Sequence, residues 1–349
     1  MSSLPDKQVQ EMPFGKPVDA RLPFHVRAMP EFKTALGADA AKVIQAMDQA
    51  EDDIPEQSPQ YAISLPSVGV QRHSVPVSLS NPFGTQGTTT IVCDVALSTA
   101  IPAHKRGIHM SRIGSLIADS TAYTYHSLQA YASHQANELN QRQYGGPSTV
   151  NVSGTLSYIE SVPGWKPEKD KRSLESIRLF ATAVAENDHV TESAGLRIAH
   201  ITACPCVQQT YKHALLQSKG DVQKAIEVTA PLFTHSQRCE TEVQIENLPH
   251  RFSMQTLLET LDQVLFRTQN SLPREHELLL VYRAHREPQF IEDATRQVVY
   301  ALYSLLQADV YADCAIKIHA TSMESIHEFD IHSTFHMSMG ELKSLFKSV

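Results

Sequence analysis

One order of segments occurs twice along the chain and constrains the fold more than any other feature. Pairs of runs that alternate apolar and polar residues are followed by helical segments and then by further alternating runs. A period of two residues is typical of strands, and a period of 3.6 residues is typical of helices. The repeated order predicts two related α+β modules with segregated helices. The runs with strand patterning are residues 63–79, 88–98, 148–161, 176–186, 189–202, 237–246, 314–322 and 328–337.

The helical segments have apolar stripes that indicate core packing. One stripe consists of Met254, Leu257, Leu258, Leu261 and Leu265, and another consists of Phe290, Ala294, Val298, Ala301, Leu302 and Leu305. A looser helical pattern covers residues 113–139. The short apolar run LLLVY at 278–282 is interpreted as a strand.

Prolines and charged residues indicate where the chain divides. Residues 1–60 contain seven prolines and one helix-like stretch near 38–49, which predicts a partly ordered N-terminal extension. A charged turn at 166–172 predicts a boundary between a first module, 61–165, and a second module, 166–349, that holds most of the active site.

Composition and charge exclude several classes of protein. The 349 residues are 42% hydrophobic and 19% charged, which is typical of neither disordered nor fibrous chains. No apolar run approaches the roughly 18 residues that span a bilayer, and the first residues lack the apolar core of a secretory signal. We therefore expect a cytoplasmic protein with no membrane partner. A net charge of −8 argues against nucleic-acid binding but allows a small anionic ligand.

A Cys-Pro-Cys segment at the end of a predicted strand is the sharpest local motif. Five cysteines in a chain of this length argue against a disulfide framework. Cys204 follows the strand, and Pro205 cannot continue its ladder. Free cysteines are usually buried and inert, but His235 opens a later strand and residues 274–277 add carboxylates. A thiolate, an imidazole and a carboxylate from three elements would form a divalent-metal site with one position open for water.

Two further groups could bind a substrate. Glu292 and Asp293 begin a helix, where carboxylates usually cap the helix or favour its dipole. An inward carboxylate there could instead accept two parallel N–H bonds from a guanine or pterin edge. The loop 104–112 is rich in basic side chains and precedes a helix, which would suit a phosphate. Its basic residues are Lys105, Arg106, His109 and Arg112.

Several motifs in this order resemble the type IB GTP cyclohydrolases. They are VGVQRHSVPV at 68–77, GIHMSR at 107–112, ACPC at 203–206, THSQR at 234–238, FIED at 290–293 and ESIH at 324–327. The resemblance covers residues from about 64 to 336. It implies the tunnelling fold, in which two ββααββ-like modules form antiparallel sheets with helices on one face.

The resemblance also implies an activity and an assembly. GTP would be hydrolysed at guanine C8 with release of formate, and the product would be 7,8-dihydroneopterin triphosphate, the entry to folate and pterin biosynthesis. The enzyme would be a homotetramer with active sites at subunit interfaces. Its cofactor would be a divalent metal, Mn²⁺, Fe²⁺ or Zn²⁺.

The family's metal ligands match Cys204, His235 and Glu277, where the spacing to FIED favours Glu277 over Glu275. Glu292 matches the carboxylate that anchors the purine. Glu324 and His327 match the catalytic ESIH motif, in which His327 would transfer protons. The family commonly reads ESIHxH, whereas this chain has Phe329 at the last position. Charge and placement make Lys105, His109, Arg112 and Arg238 candidates for binding the triphosphate.

Three alternatives remain open at this point. The archaeal relatives of the family would release a 2′,3′-cyclic phosphate instead of the triphosphate. A related nitrile reductase uses the cysteine as a nucleophile without a metal, which would leave His235 without a role. A non-catalytic protein that binds a metal or a pterin is the third possibility.

Overall fold

The computed structural model describes residues 29–48, 53–84, 87–164, 168, 170–217, 232–249 and 252–347. The chain divides into two compact units, Met1–Ile54 and Pro55–Val349. The described part of the first unit contains helices α1 (Met29–Leu36) and α2 (Ala40–Asp48). Helix α2 confirms the helix predicted near residues 38–49. All strands described below belong to the second unit.

One sheet runs through the second unit. Its strands are β1 (Leu65–Ser80), β2 (Thr88–Ile101), β3 (Thr124–Tyr125), β4 (Ser148–Val162), β5 (Lys171–Glu186), β6 (His189–Ala203), β7 (Ser236–Glu246), β8 (Phe266–Arg267), β9 (Ala315–Met323) and β10 (Asp330–Ser338). The order is β10-β9-β7-β6-β5-β4-β2-β1-β3, and β8 pairs with β6. The long strands pair antiparallel, and the short β3 pairs parallel to β1.

Seven α-helices lie in the described part of the second unit. They are α3 (Met110–Ser120), α4 (Leu128–Arg142), α5 (Pro205–Gln217), α6 (Met254–Asp262), α7 (Arg274–Arg286), α8 (Ile291–Leu305) and α9 (Met339–Lys347). The register places Leu179, Leu196, Val243 and Ile318 side by side on four neighbouring strands. All four are buried in the core that includes α4, α6 and α8. The α+β class with an antiparallel sheet and helices on one face is therefore confirmed.

The midpoint of the repeat lies at a hairpin. The first ββααββ order is β1, β2, α3, α4, β4 and β5, and it ends at Glu186. The second begins with β6 and ends with β10. The sequence-based boundary near residue 165 falls instead between β4 and β5, which pair along their whole length. A charged hairpin turn and a module boundary have the same composition, so the charges alone do not separate them.

Residues 113–139 form two helices instead of one helical segment. Between α3 and α4, Tyr125 pairs with Leu79 of β1. Helix α4 then begins after Ser127, whose Oγ accepts the N–H of Ala130 at 3.1 Å. A serine at this position stabilises a helix start because it satisfies an N–H group that has no partner within the helix.

The strand predicted at LLLVY is wrong, because these residues belong to helix α7. Leu278 is 62% exposed, and the buried residue of α7 is Ala284. An apolar run of five residues does not distinguish a strand from a helix by periodicity. Pro273 before the helix and the carboxylates of Glu275 and Glu277 in its first turn are typical of a helix start.

No helix in the described ranges is both long enough and apolar enough to cross a membrane.

The close approach of β6 to its neighbours predicts that Gly195→Ala is destabilising. A Cβ at Gly195 would lie 2.0 Å from the Val243 carbonyl oxygen and 2.6 Å from the Phe180 ring. Overpacking of this kind costs about 1–3 kcal/mol of unfolding free energy. Gly114→Ala is the control, because no atom lies within 4 Å of its added Cβ. Denaturant unfolding compares the two variants, and a Gly195→Ala protein as stable as the wild type contradicts the packing.

Candidate active site

The β6–β7 ladder brings Cys204 next to His235. Ala203 pairs with Ser236 at the end of the two strands. Beyond that pair, the N–H of Cys204 donates to the His235 carbonyl at 3.0 Å. Thr234 Oγ1 in turn donates to the Cys204 carbonyl at 2.8 Å. The two predicted ligands, 31 positions apart in the sequence, are thus neighbours on the side of the sheet where β6 ends and β7 begins. We call this side the Cys204 edge.

The His235 ring makes one hydrogen bond, as the ring of a metal-ligating histidine usually does. Its Nδ1 lies 3.1 Å from Ser325 Oγ. Ligating histidines usually use one ring nitrogen for a hydrogen bond and the other for the metal. Nε2 of His235 therefore remains available for a metal, and the neighbouring Cys204 is half-buried. This donor pair fits a divalent ion, and Zn²⁺, Fe²⁺ and Mn²⁺ differ mainly in their preference for sulfur.

Glu277 lies apart from this pair. It is exposed in the first turn of α7. The part of α7 that reaches the pair is its last turn, where His285 Nε2 lies 3.3 Å from the Thr234 carbonyl oxygen. Glu277 is eight residues earlier, about 12 Å along the helix axis at roughly 1.5 Å per residue. Among the described residues of one chain, the ligand atoms of Cys204, His235 and Glu277 do not all lie within 4.8 Å of one another.

The turn between β9 and β10 adds the ESIH residues to the same edge. Ser325 is the hydrogen-bond partner of His235. Glu324 is half-buried, and its Oε1 accepts a hydrogen bond from Ser322 Oγ at 2.8 Å. His327 is exposed and stacks on Phe329, with ring centroids 5.0 Å apart and an interplanar angle of 6°. Phe329, which departs from the family pattern, therefore lies parallel to the His327 ring.

Buried polar side chains on β6 and β7, close to the ends of these strands, connect Glu324 to β6. Thr202 Oγ1 lies 3.3 Å from Cys239 Sγ, and Gln237 Nε2 donates to Thr202 at 3.1 Å. Burial raises the pKa of the Cys239 thiol, and the nearby Glu324 charge raises it further. Cys239 is therefore a neutral structural thiol. Isolated polar residues inside strands give no periodic signal, so this layer is not predictable from the sequence.

The start of helix α8 separates the roles of Glu292 and Asp293. Asp293 Oδ2 accepts the N–H of Phe290 at 3.3 Å, and its Oδ1 accepts a hydrogen bond from Arg296 at 2.8 Å. Asp293 is therefore the capping residue, whereas Glu292 is exposed. The N–H of Gln289 donates to the Ala203 carbonyl at 3.0 Å, which ties the helix start to the end of β6. Glu292 thus belongs to the same edge as Cys204.

The basic loop lies at the opposite edge of the sheet. Pairing through β4 and β5 places Thr99, at the end of β2, level with Val190 at the start of β6. From Val190 to Ala203 the strand extends roughly 40 Å at about 3.3 Å per residue. Within one chain, the loop 104–112 is therefore remote from Cys204. Of the four predicted phosphate-binding residues, Arg238 on β7 lies at the Cys204 edge, opposite Ile201 and Met323.

The side chains of the basic loop contact residues 55–57 and Arg142. Glu56 pairs with Lys105 Nζ, and its Oε1 lies 2.6 Å from His109 Nε2. We call these three residues the Glu56 clasp. The N–H groups of residues 106 and 107 also donate to the Pro55 carbonyl. Arg112 donates to the carbonyl of Arg142 at 3.0 Å. Hydrogen bonds from Lys105 and then His109 hold the pKa of Glu56 below its ordinary value.

The matching family model and the sequence relatives agree on one family. A family model described as type I GTP cyclohydrolase folE2 matches residues 52–333. The chain is 26% identical over 297 residues to GTP cyclohydrolase MptA of Thermoplasma acidophilum, covering 84% of this chain and 97% of the relative. It is 25% identical over 308 residues to GTP cyclohydrolase MptA 2 of Methanocella arvoryzae, covering 84% and 97%.

Among solved structures, the chain is similar to a uricase from Arthrobacter globiformis. The TM-score is 0.46 at 5% sequence identity, and the match covers 78% of this chain and 93% of the uricase. A TM-score at this level does not establish a common fold.

The Glu56 clasp predicts a pH-dependent contribution to stability. Because the pKa of Glu56 is lowered by folding, its contribution is present above the ordinary pKa of 4.5 and is lost as the pH falls through the folded value. We expect Glu56→Gln to lower the melting temperature at pH 7 and to have a smaller effect at acidic pH. Glu287→Gln, in an exposed pair with Arg283, is the control. An equal effect of Glu56→Gln at both pH values contradicts the clasp.

Proposed function

The chain belongs to the type I GTP cyclohydrolase family, and we propose that it opens the imidazole ring of GTP at guanine C8 and releases formate. The observation that carries the proposal is the convergence at one sheet edge of Cys204, His235 and the start of helix α8. The family model covers residues 52–333, which include all of these elements.

A divalent ion would be held by Cys204 and His235, with Glu277 as the proposed third ligand. When bound, the ion would act as a Lewis acid that activates water for hydrolysis. Ser325 would orient His235 by its hydrogen bond to Nδ1. We propose Mn²⁺, Fe²⁺ or Zn²⁺ as the ion. Glu277 lies two helical turns from His285, the residue of α7 that contacts Thr234. Glu277 could therefore bind the ion only if α7 rearranges or if the Glu277 side chain comes from a second chain.

Residues of the edge would bind and protonate the substrate. Glu292 would accept two parallel N–H bonds from the guanine edge, since Asp293 already serves as the helix cap. His327, whose ring lies parallel to that of Phe329, would transfer protons to the nitrogens of the opening ring. Glu324, held by Ser322, would be the neighbouring acid–base group. Arg238 would bind phosphate at the same edge.

The proposed assembly is a homotetramer with active sites at subunit interfaces. Lys105, His109 and Arg112 lie at the opposite edge of the sheet from Cys204. They can serve a Cys204 site only from another chain. Lys105 and His109 would also have to leave Glu56, whose carboxylate occupies them in the structure.

Two products are candidates. We propose 7,8-dihydroneopterin triphosphate, for folate and pterin biosynthesis, as the first. The second is the 2′,3′-cyclic phosphate, and it is favoured because the relatives named above are MptA proteins.

The decisive variant for this function is Cys204→Ala. With GTP and Mn²⁺, we expect the wild type to release one formate per GTP. Cys204→Ala should lower kcat by at least about 100-fold, since it removes a ligand of the ion. Cys206→Ala is the matched control, because Cys206 is exposed on α5 two residues away and should leave turnover unchanged.

Mass spectrometry of the product separates the two phosphate candidates. Turnover that survives removal of metal by a chelator, or equal formate release by the wild type and Cys204→Ala, contradicts the proposed mechanism. The first outcome would favour a thiol mechanism. No turnover by the wild type would favour a binding protein.

A further inference from the structure

We propose that helix α5 positions the two proposed metal ligands, Cys204 and His235, and that Gln208 is the residue through which it does so. In the proposed function, on which this inference rests, these two side chains hold a divalent ion. Helix α5 begins at Pro205, directly after Cys204, and none of its 13 described residues is buried. Because packing supplies most of the stability of a helix in a protein, a helix without buried residues adds little to the core. Its contacts with the residues before β7 indicate a different role.

The residues directly before β7 are not held by strand pairing. Residues 232–235, which we call the His235 segment, lie outside the helices and strands, and β7 begins at Ser236. Their one backbone-to-backbone hydrogen bond among the described residues runs from the Cys204 N–H to the His235 carbonyl. All four residues are half-buried or exposed. The position of His235 therefore depends on side chains that reach this segment.

Gln208, the fourth residue of α5, reaches the His235 segment with its side chain. Its Nε2 donates to the Leu232 carbonyl at 2.9 Å and to the His285 carbonyl at 2.6 Å. A carboxamide nitrogen has two N–H groups, so both donors of this side chain are used. The two bonds join α5, the His235 segment and the last turn of α7. We call this arrangement the Gln208 junction.

Three further contacts hold the same segment. Tyr211 of α5 packs against Phe233, with ring centroids 4.1 Å apart. His285 Nε2 lies 3.3 Å from the Thr234 carbonyl oxygen. Thr234 Oγ1 donates to the Cys204 carbonyl at 2.8 Å. The His235 segment is therefore held by α5, by α7 and by Cys204.

These contacts attach both ligands to one helix. Cys204 is joined to α5 by a peptide bond, and the segment that carries His235 is joined to α5 by the Gln208 junction. Residues that orient metal ligands without binding the metal change metal affinity or activity by about 10–100-fold when they are replaced. Gln208 is accordingly a positioning residue, which acts on the ion through the backbone of the His235 segment.

The test is the Zn²⁺ affinity of the full-length protein, measured by competition with a chromophoric chelator. Gln208→Met preserves the size of the side chain and removes both donors, and it should weaken Zn²⁺ binding by about 10-fold or more. Gln208→Asn keeps the amide but is one methylene too short to reach both carbonyls, so it should also bind more weakly. Gln209→Met is the matched control, because the neighbouring Gln209 is exposed on the same helix and its replacement should leave the affinity unchanged.

Two readouts distinguish positioning from a loss of folded protein. Gln208→Met should bind as many Zn²⁺ ions per chain as the wild type, because unfolding removes sites and does not weaken the remaining ones. With saturating Mn²⁺, Gln208→Met should lower kcat and leave KM for GTP unchanged. The proposed guanine anchor, Glu292, is attached to Ala203 through Gln289 and does not depend on the Gln208 junction.

Equal Zn²⁺ affinity of the wild type and Gln208→Met would overturn the positioning role of Gln208. An equal loss of affinity in Gln209→Met would also overturn it, because the loss would then come from the helix and not from the junction. Cys204→Ala separates this inference from the proposed function. If Cys204→Ala binds Zn²⁺ as tightly as the wild type, the proposed metal site itself is contradicted.

Discussion

The antiparallel pairing of β6 with β7 is the interaction on which the candidate site depends. It places Ala203 opposite Ser236, and one further backbone hydrogen bond joins Cys204 to His235. The chain between these residues includes α5, so the site is assembled by the ladder and not by local sequence. Two further hydrogen bonds attach other parts of the site to the same strand ends. Gln289 attaches the start of α8 to Ala203, and Ser325 attaches the last turn to His235.

The long sheet also separates two groups of polar residues. One edge holds Cys204, His235 and the start of helix α8 with Glu292, and the other holds the basic loop with its Glu56 clasp. A distance of roughly 40 Å between the edges, from about 3.3 Å per residue, is too great for one GTP molecule to bridge. A triphosphate can therefore meet both groups only if chains assemble with unlike edges together. This constraint links the proposed tetramer to the proposed substrate, and the occupied clasp means that binding there must compete with Glu56.

The alternating runs predicted the strands well because one face of the sheet is buried and the other is exposed. Leu179 and Leu196 show this, with the ion-paired Arg197 on the opposite face. The Cys204–His235 pair was also predictable, since both residues stand where a strand meets a loop. The other features were not predictable, because their segments are short or their partners are far away in the sequence. LLLVY is too short to reveal its helix, and the break at Ser127 depends on a cap and on β3. Long-range partners such as Glu56 for Lys105, 49 residues away, leave no local pattern.

The most direct measurement is X-ray absorption spectroscopy of the full-length protein loaded with Zn²⁺. With Cys204 and His235 as ligands, the spectrum of the wild type should contain one sulfur at about 2.3 Å together with nitrogen or oxygen neighbours. The sulfur should be absent in Cys204→Ala and present in Cys206→Ala. A wild-type spectrum without sulfur, or a sulfur that persists in Cys204→Ala, would contradict the site at the β6–β7 edge.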